Sequence, residues 1–167
     1  NQWFRQMAPN WEALHNPQNQ LTHNFTCPQA YRTPIPEELY PTAYIRDRTI
    51  DYIKDRREKD SPFFAFVSFP DPHHPWDPPE SEIDRVPWRD IKVPTGYPGN
   101  VEAARRILEA KPHHWIDYFE GRKVSNMEAP PSFQPAALTS DQLREIDALT
   151  HVENELIDEA CGRVLDA

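Results

Sequence analysis

Between Ser61 and Pro79 the chain reads SPFFAFVSFPDPHHPWDPP, and no other stretch restricts its fold as tightly. Phe63, Phe64, Ala65, Phe66 and Val67 form an unbroken apolar run with Phe69 close behind. A run without polar alternation predicts a strand buried on both faces of a sheet. Pro70, Pro72, Pro75, Pro78 and Pro79 then remove backbone donors and fix φ, so regular structure must stop near Phe69 and give way to a stiff loop. That loop carries Asp71, His73, His74, Trp76 and Asp77 just past the expected strand, where open α/β sheets bind ligands.

The flanking segments extend this expectation. Pro36, Glu37 and Glu38 carry helix-start chemistry, but Pro41 interrupts, so the main helix is expected from Thr42 to about Arg57. Ile45, Thr49, Tyr52 and Ile53 would share its inner face, with Arg46, Asp47, Asp51, Lys54 and Asp55 largely in solvent. Val101 to Ala110 reads as a short helix, with Val101, Ala104, Ile107 and Leu108 on its apolar side. The clearest helix is the last, where Thr139 and Gln142 have capping-box spacing. Leu143, Ile146, Leu149, Leu156, Ile157, Ala160 and Val164 fall on or near one stripe, and Glu145, Glu153, Glu155 and Glu159 are read as its solvated side. Residues 1–33, 80–100 and 122–137 show no sustained period and read as loop, with short helical turns allowed in the first. A helix feeding an apolar strand is the repeat of an α/β fold, here with helices on a mostly parallel sheet and long Pro-rich loops. The expected division is an irregular lead-in over 1–33 and an α/β unit over 34–167.

Composition narrows the function classes. The 19 Pro and 4 Gly together stay below the roughly 25% at which low-complexity disorder becomes the better reading. A net charge of -9 with no basic stripe argues against nucleic acid as a partner, since Lys54 to Lys59 is interrupted by acids. No window of about 18 apolar residues suggests a membrane partner, and no leader sequence is visible, which leans towards the cytoplasm. Cys27 and Cys161 form no CxxC pair, which supports neither a zinc ribbon nor a redox motif and leaves a disulfide open. Asn24-Phe25-Thr26 is a formal glycosylation acceptor that needs a secretory context. The opening NQWFRQM and the closing VLDA suggest a piece of a longer protein. Such a piece would expose core surfaces and self-associate through them.

The loop could serve metal binding, proton transfer or anion binding. Successive side chains of an extended loop alternate, so His73 and His74 do not make a two-His chelate, and one imidazole facing a site is the better reading. Prolines on either side reduce the entropy lost in holding that imidazole, as a general acid or an oxyanion donor requires. Lys111-Pro112-His113-His114-Trp115 is a second basic and aromatic cluster with no spacing to further ligands. Trp76 and Trp115 fit a pocket wall or a core equally well.

The 61–79 stretch resembles a segment of sulfatases in the alkaline-phosphatase-like superfamily that reads approximately PFFLYVSFPDPHHPFDPP. The resemblance extends through IPEELYPTAYIRDRTIDYI, AKPHHWIDYFEG and LIDEACGRVLDA, covering about residues 33 to 167. It implies the central part of an α/β sandwich enzyme that hydrolyses small-molecule sulfate esters, or phosphonate or phosphate esters in close relatives. It also implies a formylglycine nucleophile made from Cys or Ser in C/S-x-P-x-R and a divalent cation, usually calcium. His73 would be the catalytic carry-over, hydrogen-bonding the sulfate or protonating the leaving oxygen. His74, Trp76 and His114 would touch substrate. Cys27 is followed by Pro28, Gln29, Ala30, Tyr31 and Arg32, so Pro and Arg are each one position off that motif, and the family's metal-binding carboxylates are not matched. No metal ligand is assigned here, and the chain by itself is expected to be inactive, because nucleophile and metal supply most of the rate enhancement. The alternative is a non-catalytic module binding a metal or partner through its Pro- and His-rich loop.

Overall fold

The computed structural model describes residues 2–57, 59, 61–123 and 133–167. Part of the loop expected over 122–137 lies outside these residues, as does Glu58 within the 54–59 charged stretch. Among these described residues six α-helices follow in order: α1 Gln2–Met7, α2 Trp11–His15, α3 Pro41–Arg57, α4 Val101–Glu109, α5 His114–Phe119 and α6 Ser140–Leu165. Single 3-10 turns at Pro17–Asn19, Glu37–Leu39, Trp88–Asp90 and Pro135–Ala137 connect them.

α6 is the axis of the molecule. Its start is the expected capping box: the Thr139 side chain accepts from the Gln142 N–H, and the Gln142 side chain accepts from the Thr139 N–H. Its inner face buries Ala148, Leu149, Val152, Leu156 and Ala160. The same face buries Glu145 and Glu153, at 1% and 0% exposure, contrary to the solvated placement expected for them. Spacing explains the difference, since 145, 149, 153, 156 and 160 recur every three or four residues and share a side whatever their polarity.

α3 packs on α6, as does the Trp88–Asp90 turn. Contrary to the expected face, α3 buries Thr42 and Ala43 near its start, whereas Tyr52 is exposed. Arg46, expected in solvent, is half-buried and pairs with Asp47 and Glu37 at 2.7 and 3.6 Å. Three apolar clusters make the core: Cys27, Ala30, Trp76, Ile83 and Leu149; Phe4, Ala8 and Ile35; and Tyr40, Val152 and Leu156. Phe4 and Ala8, in and just after α1, and Cys27 and Ala30, in the turn that follows, bring the segment before Pro34 into the first two of these clusters.

The expected sheet is absent: no strand occurs among the described residues, and the architecture is helical with long irregular connections. An α/β sandwich with helices on a parallel sheet is thereby corrected. Residues 62–69 run without regular structure, leaving Phe64 89% and Phe66 84% exposed. An apolar run becomes a strand only when a neighbour supplies the other half of each backbone hydrogen bond, and here none does. Among the described residues the one β-type pairing is an isolated parallel bridge between Ala30 and Trp76, beyond the apolar run. No helix among the described residues is long and apolar enough to cross a membrane.

Candidate functional site

The loop after Phe69 is anchored at both ends. At its start the Thr42 hydroxyl donates to the Asp71 carboxylate at 2.6 Å, tying the loop to the first turn of α3. At its end Trp76 donates its N–H to the Gln29 carbonyl (2.9 Å) and accepts at its own carbonyl from the Tyr31 N–H (3.0 Å). Gln29 takes a left-handed φ of 72° to present that carbonyl, an uncommon conformation for a side-chain-bearing residue. Between these anchors the His73 N–H donates to the Pro70 carbonyl and closes a turn.

The anchors fix His73. Its Nδ1 lies 2.7 Å from the His74 carbonyl oxygen. A carbonyl only accepts, so Nδ1 carries the proton and Nε2 is left as the working nitrogen, a base when the ring is neutral and a donor when it is charged. The ring is exposed and stacks against His74 with centroids 4.3 Å apart. His74 meets Trp76 edge-on at 6.0 Å, and Trp76 is sunk into the core beside Cys27, Ala30, Ile83 and Leu149. The structure thus joins His73, His74 and Trp76 in one row from solvent to core. His114 is elsewhere: it opens α5, exposed, with its ring against Trp115 and Tyr118. Among the described residues no hydrogen bond, ion pair or ring contact links it to the other three. Its neighbour His113 lies 3.4 Å from Asp117.

Behind the loop lies Glu153, a residue read from the sequence as part of a solvated helix side. Glu153 on α6 accepts from the Asp77 N–H at 3.2 Å through Oε1, and Oε2 has no hydrogen-bond partner among the described residues. Burial, together with the negative charge of nearby Asp71, raises the Glu153 carboxyl to about 9 and Asp77 to about 7. Burial also raises Asp71 itself. The signal available in the sequence was the helical register of Glu153 with Leu149 and Leu156.

The second buried acid, Glu145, is satisfied. Its Oε2 accepts from the Cys27 and Thr26 N–H groups at 2.7 and 2.9 Å, and Gln142 donates to the Thr26 carbonyl. Cys27 is buried, and desolvation, with Glu145 close by, raises its thiol to about 12. A thiol so buried and so weakly acidic does not fit the precursor of a formylglycine nucleophile. Cys27 and Cys161 are both free. Among the described residues no group of three or more His, Cys, Asp or Glu side chains could hold a metal ion, so calcium is not matched to them.

No family model matches the chain. Over 58 residues, 35% of its length, the chain is 38% identical to an arylsulfatase of Clostridium perfringens (strain 13 / Type A). Those residues span 12% of that protein. A part of this chain is therefore similar to a part of an arylsulfatase.

Proposed function

We propose that this chain supplies the histidine-bearing loop of a sulfate ester hydrolase acting on small-molecule esters. A central portion of such an enzyme is the role that the chain would fill. The observation that carries the reading is the His73 Nδ1 contact to the His74 carbonyl, which commits one ring nitrogen and leaves Nε2 to meet a ligand. Protonated Nε2 is suited to hydrogen-bond a sulfate oxygen or to give a proton to the departing alkoxide or aryloxide, which is general acid catalysis. The partial similarity to an arylsulfatase supports sulfur over phosphorus. His74 and Trp76 would contact substrate beside His73, and His114 would do so only through a rearrangement of α5.

The described residues fit neither a formylglycine nucleophile nor a calcium ion, and no step is assigned to either group here. We infer that both would come from outside these residues and that the chain alone does not turn over. The test is aryl sulfate hydrolysis by a full-length protein carrying this chain, compared with its His73→Ala variant. A fall in kcat of about 10²-fold is expected for a lost general acid, and unchanged turnover removes His73 from the site.

A further inference from the structure

The backbone of residues 63–69 makes no hydrogen bond among the described residues, although its side chains already alternate as they do in a strand. Phe63 and Val67 are 47% and 37% exposed and Phe69 is half-buried, whereas Phe64 and Phe66 stand almost wholly in solvent. That is a period of two. The less exposed side is backed by α3, where the Phe63 ring meets Tyr52 edge-on at 5.4 Å. Beside it an open groove of about 520 Å³ runs between residues 64–68 and Tyr44, Arg48 and Tyr52. Free N–H and C=O groups along an apolar segment backed by a helix are a template for another strand.

The segment is complementary to itself. Turned antiparallel about Ala65, it sets Phe64 opposite Phe66 and Phe63 opposite Val67, and only the small Ala65 meets its own copy on the axis. Every one of these pairs is apolar, and aromatic pairs are favourable across strands. Moving the axis to Phe66 would set Phe64 against Ser68, and moving it to Phe64 would set Phe66 against Pro62, so one register is preferred. At their exposures Phe63, Phe64 and Phe66 leave roughly 400 Å² of ring uncovered in each copy, taking about 200 Å² for a buried Phe. With Val67 and the backbone, two copies together reach on the order of 1,000 Å², the lower bound of a specific interface. We propose that this face is a homodimer interface in which two copies of the chain pair antiparallel through residues 62–69 about a two-fold axis at Ala65. The dimer is weak, as its area requires. It does not depend on the hydrolase reading, because it uses neither His73 nor a sulfate ester.

The experiment is sedimentation of the full chain over about 5 to 500 μM, the range in which so small an interface dissociates. A reversible monomer–dimer equilibrium without larger species is expected. Phe64→Lys and Phe66→Glu each set a charge against a Phe and should weaken dimerisation by about tenfold or more. Mixing the two variants should restore it, because the mixed pair sets the new lysine against the new glutamate and keeps one Phe–Phe pair. Register is read separately. In a Cys161→Ser background, Ala65→Cys should form a disulfide-linked dimer about tenfold faster than Ser81→Cys, an exposed control outside the segment. Opposed strand residues lie about 4.5–5.5 Å apart, within the reach of a disulfide. Phe64 and Phe66 are too exposed for their substitution to disturb the core, and Ala65→Cys leaves the aromatic run intact. An open series of larger species, charged variants that fail to associate when mixed, or equal cross-linking at positions 65 and 81 overturns the proposal. So does a chain that stays monomeric throughout, which would leave this edge to a segment of different sequence.

Discussion

Glu153, at 0% exposure on the inner face of α6, accepts a hydrogen bond from the backbone N–H of Asp77 at 3.2 Å. That contact joins the longest helix to the far end of the histidine loop. It places a carboxylate where its charged form is costly, with Asp71 and Asp77 as like-charged neighbours. The native state therefore holds protons that the unfolded chain releases at lower pH. Asp77 is raised from 3.8 to about 7 and Glu153 from 4.5 to about 9. The contribution is complete below the unfolded values and is lost as pH rises through the native ones. Denaturant midpoints should fall steadily from about pH 5 to pH 9. Glu153→Gln keeps the shape and the Asp77 contact without the titration, so it should flatten the curve above about pH 7 and stabilise by roughly 1–3 kcal/mol at pH 9. A wild-type curve that climbs towards pH 9 is inconsistent with this arrangement.

Glu145 does the opposite work, because its charge is used. Glu145→Ala would leave the Cys27 and Thr26 N–H groups without their acceptor, at a cost of roughly 3 kcal/mol measured by urea unfolding. The turn it holds also shields Cys27. In the native protein a thiol reagent should label Cys161 at once and Cys27 only with unfolding, and Glu145→Ala should speed the second phase.

The start of α6 tests the same helix at lower stakes. Thr139→Ala removes one half of the capping box and should cost about 1 kcal/mol, visible as a lower midpoint with an unchanged m-value.

The apolar run at 63–67 gives a prediction of a different kind. Phe64 and Phe66 contribute little to the fold at 89% and 84% exposure, so Phe64→Lys with Phe66→Lys should shift stability by less than about 0.5 kcal/mol. The pair also lies beside an open groove with Tyr44, Arg48 and Tyr52. A surface of this kind favours self-association, and the double variant should sediment as a smaller species than the wild type at the same concentration. Identical sedimentation of the two, both monomeric, argues against it.

Much of the helical content was legible. Capping chemistry at Thr139 and Gln142 and the spacing of apolar residues after them identify α6, and the Thr42–Arg57 and Val101–Ala110 readings match α3 and α4 to within a residue. The sheet was not legible because it depends on partners: the sequence around Phe63 to Phe69 encodes apolarity, and apolarity alone cannot make a ladder. Residues 2–15 hold two short helices where the sequence allowed only short helical turns without placing them, because neither is long enough to show a period. Glu145 and Glu153 were misplaced by charge, although register with Leu149 and Leu156 put them inside. At the loop, alternation of His73 and His74 suggested one working imidazole, but the pairing of Nδ1 with the His74 carbonyl depends on the turn closed back to Pro70 and appears only in three dimensions.

The most direct test of the account is kcat for an aryl sulfate in a full-length protein carrying this chain, with His73→Ala and, as a control, the exposed α6 variant His151→Ala. A loss of about 10²-fold in His73→Ala, with the fold intact by circular dichroism and His151→Ala unchanged, is the expected result. A full-length protein that hydrolyses no aryl sulfate, or a His73→Ala variant that turns over at the wild-type rate, would contradict it.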